Sequence, residues 1–162
     1  MRKMIVFDMD GTIADLYGVE NWLPMLRAED DTPYRVAEPL FDMDLLIELL
    51  EIIKDMGWTI AVTSWLAMNG SKEYNNKVRE AKKNWLKQYN FPLDEIHLVK
   101  YGTTKADCTR KKADYQILVD DNEEIRKGWT LGKAIQPEKL ITTLIDIIIK
   151  ENIEKMDKMR GA

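Results

Sequence analysis

Cysteine and histidine are almost missing from this sequence: Cys108 and His97 are the single members of their types in 162 residues. One thiol cannot close an internal disulfide, and Cys108 sits among lysines and arginines, which reads as a solvated face rather than an activated thiolate. A lone histidine on a predicted strand reads as structural rather than as a ligand. No long apolar run is present, so no membrane-spanning segment is expected. The first apolar stretch is interrupted by Asp8 and Asp10, unlike a secretory leader, and a cytoplasmic location is expected. An excess of positive charge is also lacking. The net charge is −4, which leaves no overall footprint for a nucleic-acid backbone. The basic stretches at Lys77 to Lys87 and Arg110 to Lys112 do not change this, since acids and aromatics are mixed through the first, as on a solvated helix. A nucleic-acid partner is therefore unsupported. Internal repeats and low-complexity segments are absent too.

What is present is the composition of a globular chain, 45% hydrophobic and 32% charged. The length suits one domain, residues 1–162, with room for only a small insertion. Met4-Ile5-Val6-Phe7 predicts a buried strand that runs into the polar turn Asp8-Met9-Asp10-Gly11-Thr12. Residues 17–42 are irregular, with three prolines and several aromatics, and predict an insertion made of loops. Leu45, Leu46, Leu49, Leu50, Ile52, Ile53 and Met56 recur at helical spacing before Gly57. Trp58 to Val62 predicts a second strand, ending in Thr63-Ser64. Ser71 caps a long amphipathic helix through about Tyr89, and Ile96 to Val99 predicts a third strand. Tyr115 to Val119 predicts a fourth, ending in Asp120-Asp121 and turning through Asn122; Lys133 to Ile135 is a short fifth. Pro137 opens a final helix whose charged tail is expected to fray. That helix would serve equally as core or as an interface, so the oligomeric state is open. Apolar strands alternating with amphipathic helices imply an α/β fold with a mostly parallel sheet and helices on both faces.

Ligands collect at the carboxyl ends of such strands. Three of them deliver polar groups there: Asp8 with Asp10, Thr63 with Ser64, and Asp120 with Asp121. Two positions apart in an extended chain, Asp8 and Asp10 are expected on one face. Clustered carboxylates repel, and a hard cation such as Mg²⁺ relieves the repulsion while keeping room for water and phosphate. One carboxylate is then able to attack phosphorus and form an aspartyl-phosphate, while another protonates the leaving oxygen and later deprotonates water. A hydroxyl from Thr63 or Ser64 and the ammonium of Lys105 would bind phosphoryl oxygens. Taken singly, each is an ordinary turn former or solvated residue; their convergence on one sheet edge carries the reading.

Asp8-Met9-Asp10-Gly11-Thr12, then Thr63, Lys105 and Asp120-Asp121, in that order, resemble the four motifs of the haloacid dehalogenase-like hydrolase superfamily. The resemblance runs from Ile5 to about Ile135. It implies a Rossmann-like sheet of about five strands, a turn and hairpin after Thr12, and a small cap, about residues 17–42, after the first strand. It implies Mg²⁺ as cofactor, Asp8 as nucleophile, and Asp10 as general acid/base whose backbone carbonyl also touches the metal. Thr63 and Ser64 become phosphate contacts and Lys105 the third-motif lysine, with Lys100 the runner-up. Asp121 resembles the direct metal ligand and Asp120 its partner, though the sequence does not rank them. The second acid favours phosphate ester hydrolysis, since dehalogenases of the superfamily typically lack it.

The small cap and its aromatics, Tyr17, Trp22, Tyr34 and Phe41, with Trp65 after the second motif, resemble the 5′(3′)-deoxyribonucleotidase branch and related phage and bacterial hydrolases. These rings either stack on a planar base or pack the insertion onto the core. Trp65 stands where that branch tends to have proline, and the segment from Lys105 to Asp120 is longer than usual. Two functions therefore stand: a phosphohydrolase of a small phosphate ester, with a nucleoside monophosphate as the candidate substrate, or a phosphate-binding accessory protein that recognises a nucleic-acid end with little turnover.

Overall fold

The computed structural model describes residues 1–161. In chain order the elements are β1 (Lys3–Phe7), β2 (Ala14–Asp15), α1 (Trp22–Arg27), α2 (Thr32–Val36), β3 (Glu38–Pro39), α3 (Met43–Asp55), β4 (Trp58–Trp65) and α4 (Lys72–Gln88). They continue with β5 (Glu95–Val99), α5 (Lys105–Thr109), β6 (Tyr115–Val119), α6 (Glu123–Lys127), β7 (Gly132–Ile135) and α7 (Leu140–Arg160). Five strands form one parallel sheet in the order β5-β4-β1-β6-β7, with Phe7 of β1 opposite Val62 of β4 and Val119 of β6. Parallel strands buried on both faces need apolar residues at consecutive positions, which explains the unbroken Met4-Ile5-Val6-Phe7. Ile5 and Phe7 join Leu46, Leu50 and Ile53 of α3, Trp85 of α4 and Leu140 and Leu144 of α7. Met4 and Val6 point the other way, to Ala106 of α5, Trp129 and the partly buried Ile125 of α6. The chain leaves β1 toward β4 and later returns on the other flank of β1 as β6. Their carboxyl ends therefore bound the topological switch point, the usual ligand crevice of such sheets.

Local signals set most boundaries where the sequence puts them. The Asp42 carboxylate accepts from the Leu45 N–H at the start of α3, and Gly57, at φ +92°, turns the chain into β4. Ser71 Oγ accepts from the Tyr74 N–H at the start of α4. Three expectations change, and two helices appear that the sequence pattern did not predict. The insertion holds two short helices, α1 and α2, rather than loops alone. The hairpin after Thr12 is not local, because β2 pairs antiparallel with β3 at the far end of the insertion. The polar stretches after Thr104 and Asn122 wind into α5 and α6, the latter capped by the Asn122 side chain. The charged tail stays helical to Arg160, with Glu151 and Lys155, and Glu154 and Lys158, spaced to favour a helix. No helix among the described residues is long and apolar enough to cross a membrane.

Candidate active site

Asp8 and Asp120 leave neighbouring parallel strands at the switch point, each still tied to the sheet by its backbone N–H, Asp8 to Val119 O and Asp120 to Ile135 O. Lys105, the first residue of α5, reaches under both. Its Nζ stands 2.6 Å from Asp8 Oδ1 and 2.6 Å from Asp120 Oδ2. All three side chains are buried. Burial pulls the Lys105 ammonium down, but the two carboxylates outweigh it and its pKa rises, so the lysine is charged. Thr12 Oγ1, wholly buried, donates to Asp8 Oδ2 at 3.0 Å, lies 3.3 Å from Asp121 Oδ1, and accepts the Asp121 N–H. One oxygen from each of Asp8, Asp120 and Asp121 lies within 4.8 Å of the others, a hard-donor set able to hold a cation such as Mg²⁺. Burial, then the Asp8 charge, raises Asp120 above the usual carboxylate range despite Lys105. Asp121 is pushed up to about 6 by burial and by Asp8 and Asp120. Mutual repulsion of this kind is what a bound cation relieves.

Asp10 is not part of that set. Past Asp10 the chain turns: the N–H groups of Thr12, Ile13 and Ala14 all converge on Met9 O, and Gly11 takes φ +76°. Asp8 and Asp10 both line the pocket described below, as their spacing predicts, while Phe7 and Met9 enter the core; what differs is the partner of each carboxylate. Asp10 Oδ2 instead accepts from Lys82 Nζ at 2.6 Å. Lys82 is wholly buried, donates also to Ser64 Oγ at 2.8 Å and Trp65 O at 2.7 Å, and lies 5.1 Å from the centre of the Tyr34 ring. Burial raises Asp10, Lys82 opposes the rise, and Asp8 adds to it; the net direction is up. Sequence reasoning took the Lys77 to Lys87 stretch as solvated and missed this lysine. The signal was there, since Lys82 falls on the apolar stripe of Val78, Ala81 and Trp85.

Thr63 follows Val62 on β4, and strand alternation turns it to the sheet face of Ala61. Its hydroxyl is buried without a hydrogen-bond partner, and Thr63 does not line the pocket described below. Ser64 does, with its hydroxyl turned to Lys82. Lys100 is exposed and outside the pocket, so Lys105 is the lysine brought to the acids. His97 pairs with Glu95 at 3.1 Å, away from the site. Cys108 is half-buried, and burial, then Asp107, pushes its thiol up, as for an unreactive cysteine.

Above the acids opens a pocket of about 370 Å³. Asp8, Asp10, Lys105, Asp120 and Asp121 line its polar side, and Tyr17, Trp22, Tyr34, Trp65 and Tyr101 its aromatic walls. Tyr17 meets Trp22 edge-on with ring centres 4.9 Å apart, and Trp65 lies 4.8 Å from Tyr101. Tyr101 was not foreseen; it reaches the pocket through the turn after β5. Phe41 goes the other way and packs against the α3 core. Leu23, Leu26 and Arg27 of α1 complete the wall contributed by the insertion.

No family model and no curated protein matches the chain. Several solved structures resemble it, two of which are as follows. The D,D-heptose 1,7-bisphosphate phosphatase of Burkholderia thailandensis superposes with a TM-score of 0.53 at 11% identity, over 91% of this chain and 99% of that one. The enzyme of the same name from B. bronchiseptica, complexed with magnesium and phosphate, gives a TM-score of 0.49 at 14% identity, over 77% of this chain and 73% of that one. The first likeness extends through the whole of the relative, and what it shows is the shared α/β fold.

Proposed function

We propose that this chain is a magnesium-dependent phosphohydrolase of the haloacid dehalogenase-like superfamily. It is read as a single domain with residues 17–42 as its small cap, acting on a small phosphate ester. The observation that carries the reading is Lys105 bridging Asp8 and Asp120, with Asp121 beside them, at the floor of an aromatic pocket. The fold shared with a heptose bisphosphate phosphatase agrees with it.

Asp8 supplies the attacking oxygen. A bond forms from its carboxylate to phosphorus as the bond to the leaving oxygen breaks, and Asp10 gives that oxygen its proton. Water then attacks the aspartyl-phosphate, Asp10 takes the water's proton, and phosphate leaves. Lys105 offsets the charge gathered on Asp8 and the phosphoryl group. Thr63 and Ser64 carry the hydroxyls proposed for a phosphoryl oxygen; Ser64 lines the pocket, whereas the unpartnered Thr63 hydroxyl lies behind that wall and would have to become accessible. Asp8, Asp120, Asp121 and the backbone carbonyl of Asp10 are the groups that would hold Mg²⁺, which supplies charge neutralisation and polarises the phosphoryl oxygens. Both Asp120 oxygens are engaged, by Lys105 and by the Asn122 N–H, whereas among the described residues the Asp121 carboxylate meets only Thr12; this favours Asp121 as the direct ligand.

For the substrate, the paired rings of Tyr17 with Trp22 and Trp65 with Tyr101 favour an ester with a planar group, a nucleoside monophosphate. A screen of phosphorylated metabolites, deoxynucleoside monophosphates included, tests the whole reading by phosphate release with and without Mg²⁺. Activity is expected with Mg²⁺ and lost in Asp8→Asn; activity that survives the substitution removes Asp8 as nucleophile. If nothing is hydrolysed while a beryllium fluoride complex still binds, the accessory-protein reading replaces this one.

A further inference from the structure

Lys82 has the partners of a device rather than of a solvated lysine. An ammonium has three protons to donate, and here each has an acceptor: Ser64 Oγ, Trp65 O and Asp10 Oδ2. The first two belong to β4, in the rigid sheet; the third sits on the turn after β1. The ring of Tyr34, from the insertion, lies beside the ammonium. A buried charge is a poor source of stability compared with an apolar side chain of similar size, and the neighbouring positions of this helix face are filled by Val78, Ala81 and Trp85. What the lysine does that a methionine would not is tie the Asp10 carboxylate to the sheet. Without that tie a carboxylate two residues from Asp8 is free to swing toward any cation held by Asp8, Asp120 and Asp121.

We propose that Lys82 is a positioning residue: it holds the Asp10 carboxylate on the pocket side of the site, apart from the other three acids, where the leaving oxygen of a substrate meets it. The inference rests on the phosphohydrolase reading and assigns Lys82 to the step in which the leaving group departs. A merely structural lysine would affect all substrates alike. A positioning lysine affects those whose leaving group needs a proton.

Lys82→Met is compared with the wild-type protein on an alkyl phosphate, whose alkoxide needs protonation, and on p-nitrophenyl phosphate, whose phenolate leaves without it. For the alkyl ester kcat is expected to fall about a hundredfold, the lower range for loss of a general acid, with KM little changed. The single-turnover release of nitrophenolate is expected to change by less than about fivefold, well below that range. Equal losses on both esters overturn the proposal. The double variant Lys82→Met/Asp10→Asn removes charge and countercharge together and keeps the test open even if the single variant fails to fold. It is expected to match Asp10→Asn alone, and a further loss of tenfold or more would show that Lys82 acts other than through Asp10. A crystal structure of the single variant, or of the double if the single does not fold, gives a readout independent of turnover: side chain 10 moves off its wild-type place, and an unmoved side chain counts against the proposal. If the wild type hydrolyses no ester, the phosphohydrolase reading fails and takes this one with it; if Asp8→Asn abolishes turnover while Lys82→Met treats both esters alike, only this one fails.

Discussion

Lys105 Nζ and Asp8 Oδ1 stand 2.6 Å apart although 97 residues separate them along the chain. The pair closes the crevice between β1 and β6 from below, and it makes the acids of that crevice dependent on one ammonium.

Replacing Lys105 by Met leaves Asp8 and Asp120 buried without their shared partner. Loss of one member of a buried ion pair costs about 3–5 kcal/mol. A loss of that order is expected in urea unfolding without added metal, with a smaller loss when Mg²⁺ is present. Turnover is expected to fall at least about a hundredfold, as for other removed charge stabilisers. An unchanged unfolding midpoint would show that the pair contributes nothing.

Thr12→Val keeps the shape of a wholly buried side chain and removes the hydroxyl shared by Asp8 and Asp121. Hydrogen bonds to metal-ligating carboxylates typically account for about 10–100-fold in metal affinity. Calorimetric titration with Mg²⁺ is expected to show a weakening within that range, with the fold retained by circular dichroism.

Gly11→Ala tests how closely the turn approaches the acids. Gly11 sits at φ +76°, and a Cβ there would lie 2.5 Å from Asp121 Oδ2 and 2.7 Å from the Tyr17 ring. Alanine strains a left-handed backbone and pushes Asp121 off its place, so both stability, by about 1–2 kcal/mol, and Mg²⁺ affinity are expected to drop. If the thermal midpoint and the affinity both hold, the close approach is not real.

The response to Mg²⁺ is expected to depend on pH. Asp121 rises from the ordinary value of 3.8 to about 6, and Asp10 and Asp120 are raised as well. A carboxylate raised in the folded state favours folding below its unfolded pKa, and this contribution disappears as pH rises through its folded pKa. For Asp121 that window runs from 3.8 to about 6. Above it the metal-free protein bears the full repulsion among the acids, which Mg²⁺ removes; below it protons already do so. The thermal shift produced by Mg²⁺ is therefore expected to be large at neutral pH and to shrink as pH falls below about 6. A shift that grows on acidification contradicts the assignment of Asp121.

Trp22→Ala opens the wall that the insertion gives the pocket. Loss of one stacking ring costs about 1–3 kcal/mol per base in aromatic sites. For a nucleoside monophosphate KM is expected to rise about tenfold, while KM for a phosphate ester without a ring stays nearly constant. Equal changes for both would make Trp22 a packing residue only.

Much was legible in the sequence because it is written at short range. The apolar run before Asp8, the helical spacing from Leu45 to Met56, the Ser71 cap and the apolar run before Asp120 each depend on neighbours a few residues away, and β1, α3, α4 and β6 appear where those patterns put them. The order of strand ends carrying Asp8, Ser64 and Asp120 followed from the same patterns, whereas they do not decide between Lys105 and Lys100 for the lysine after the third strand. What tertiary structure alone decided is the pairing of charges within the site. Asp8 and Asp10, two residues apart and lining one pocket, take different cations: one goes to Lys105, 97 residues on, the other to Lys82, 72 residues on. Thr12 bridges to Asp121 across 109 residues. Periodicity fixes which face a residue occupies, but which buried cation meets which carboxylate depends on how separate helices dock on the sheet. In a low-dielectric interior that choice sets the charge of every group at the site.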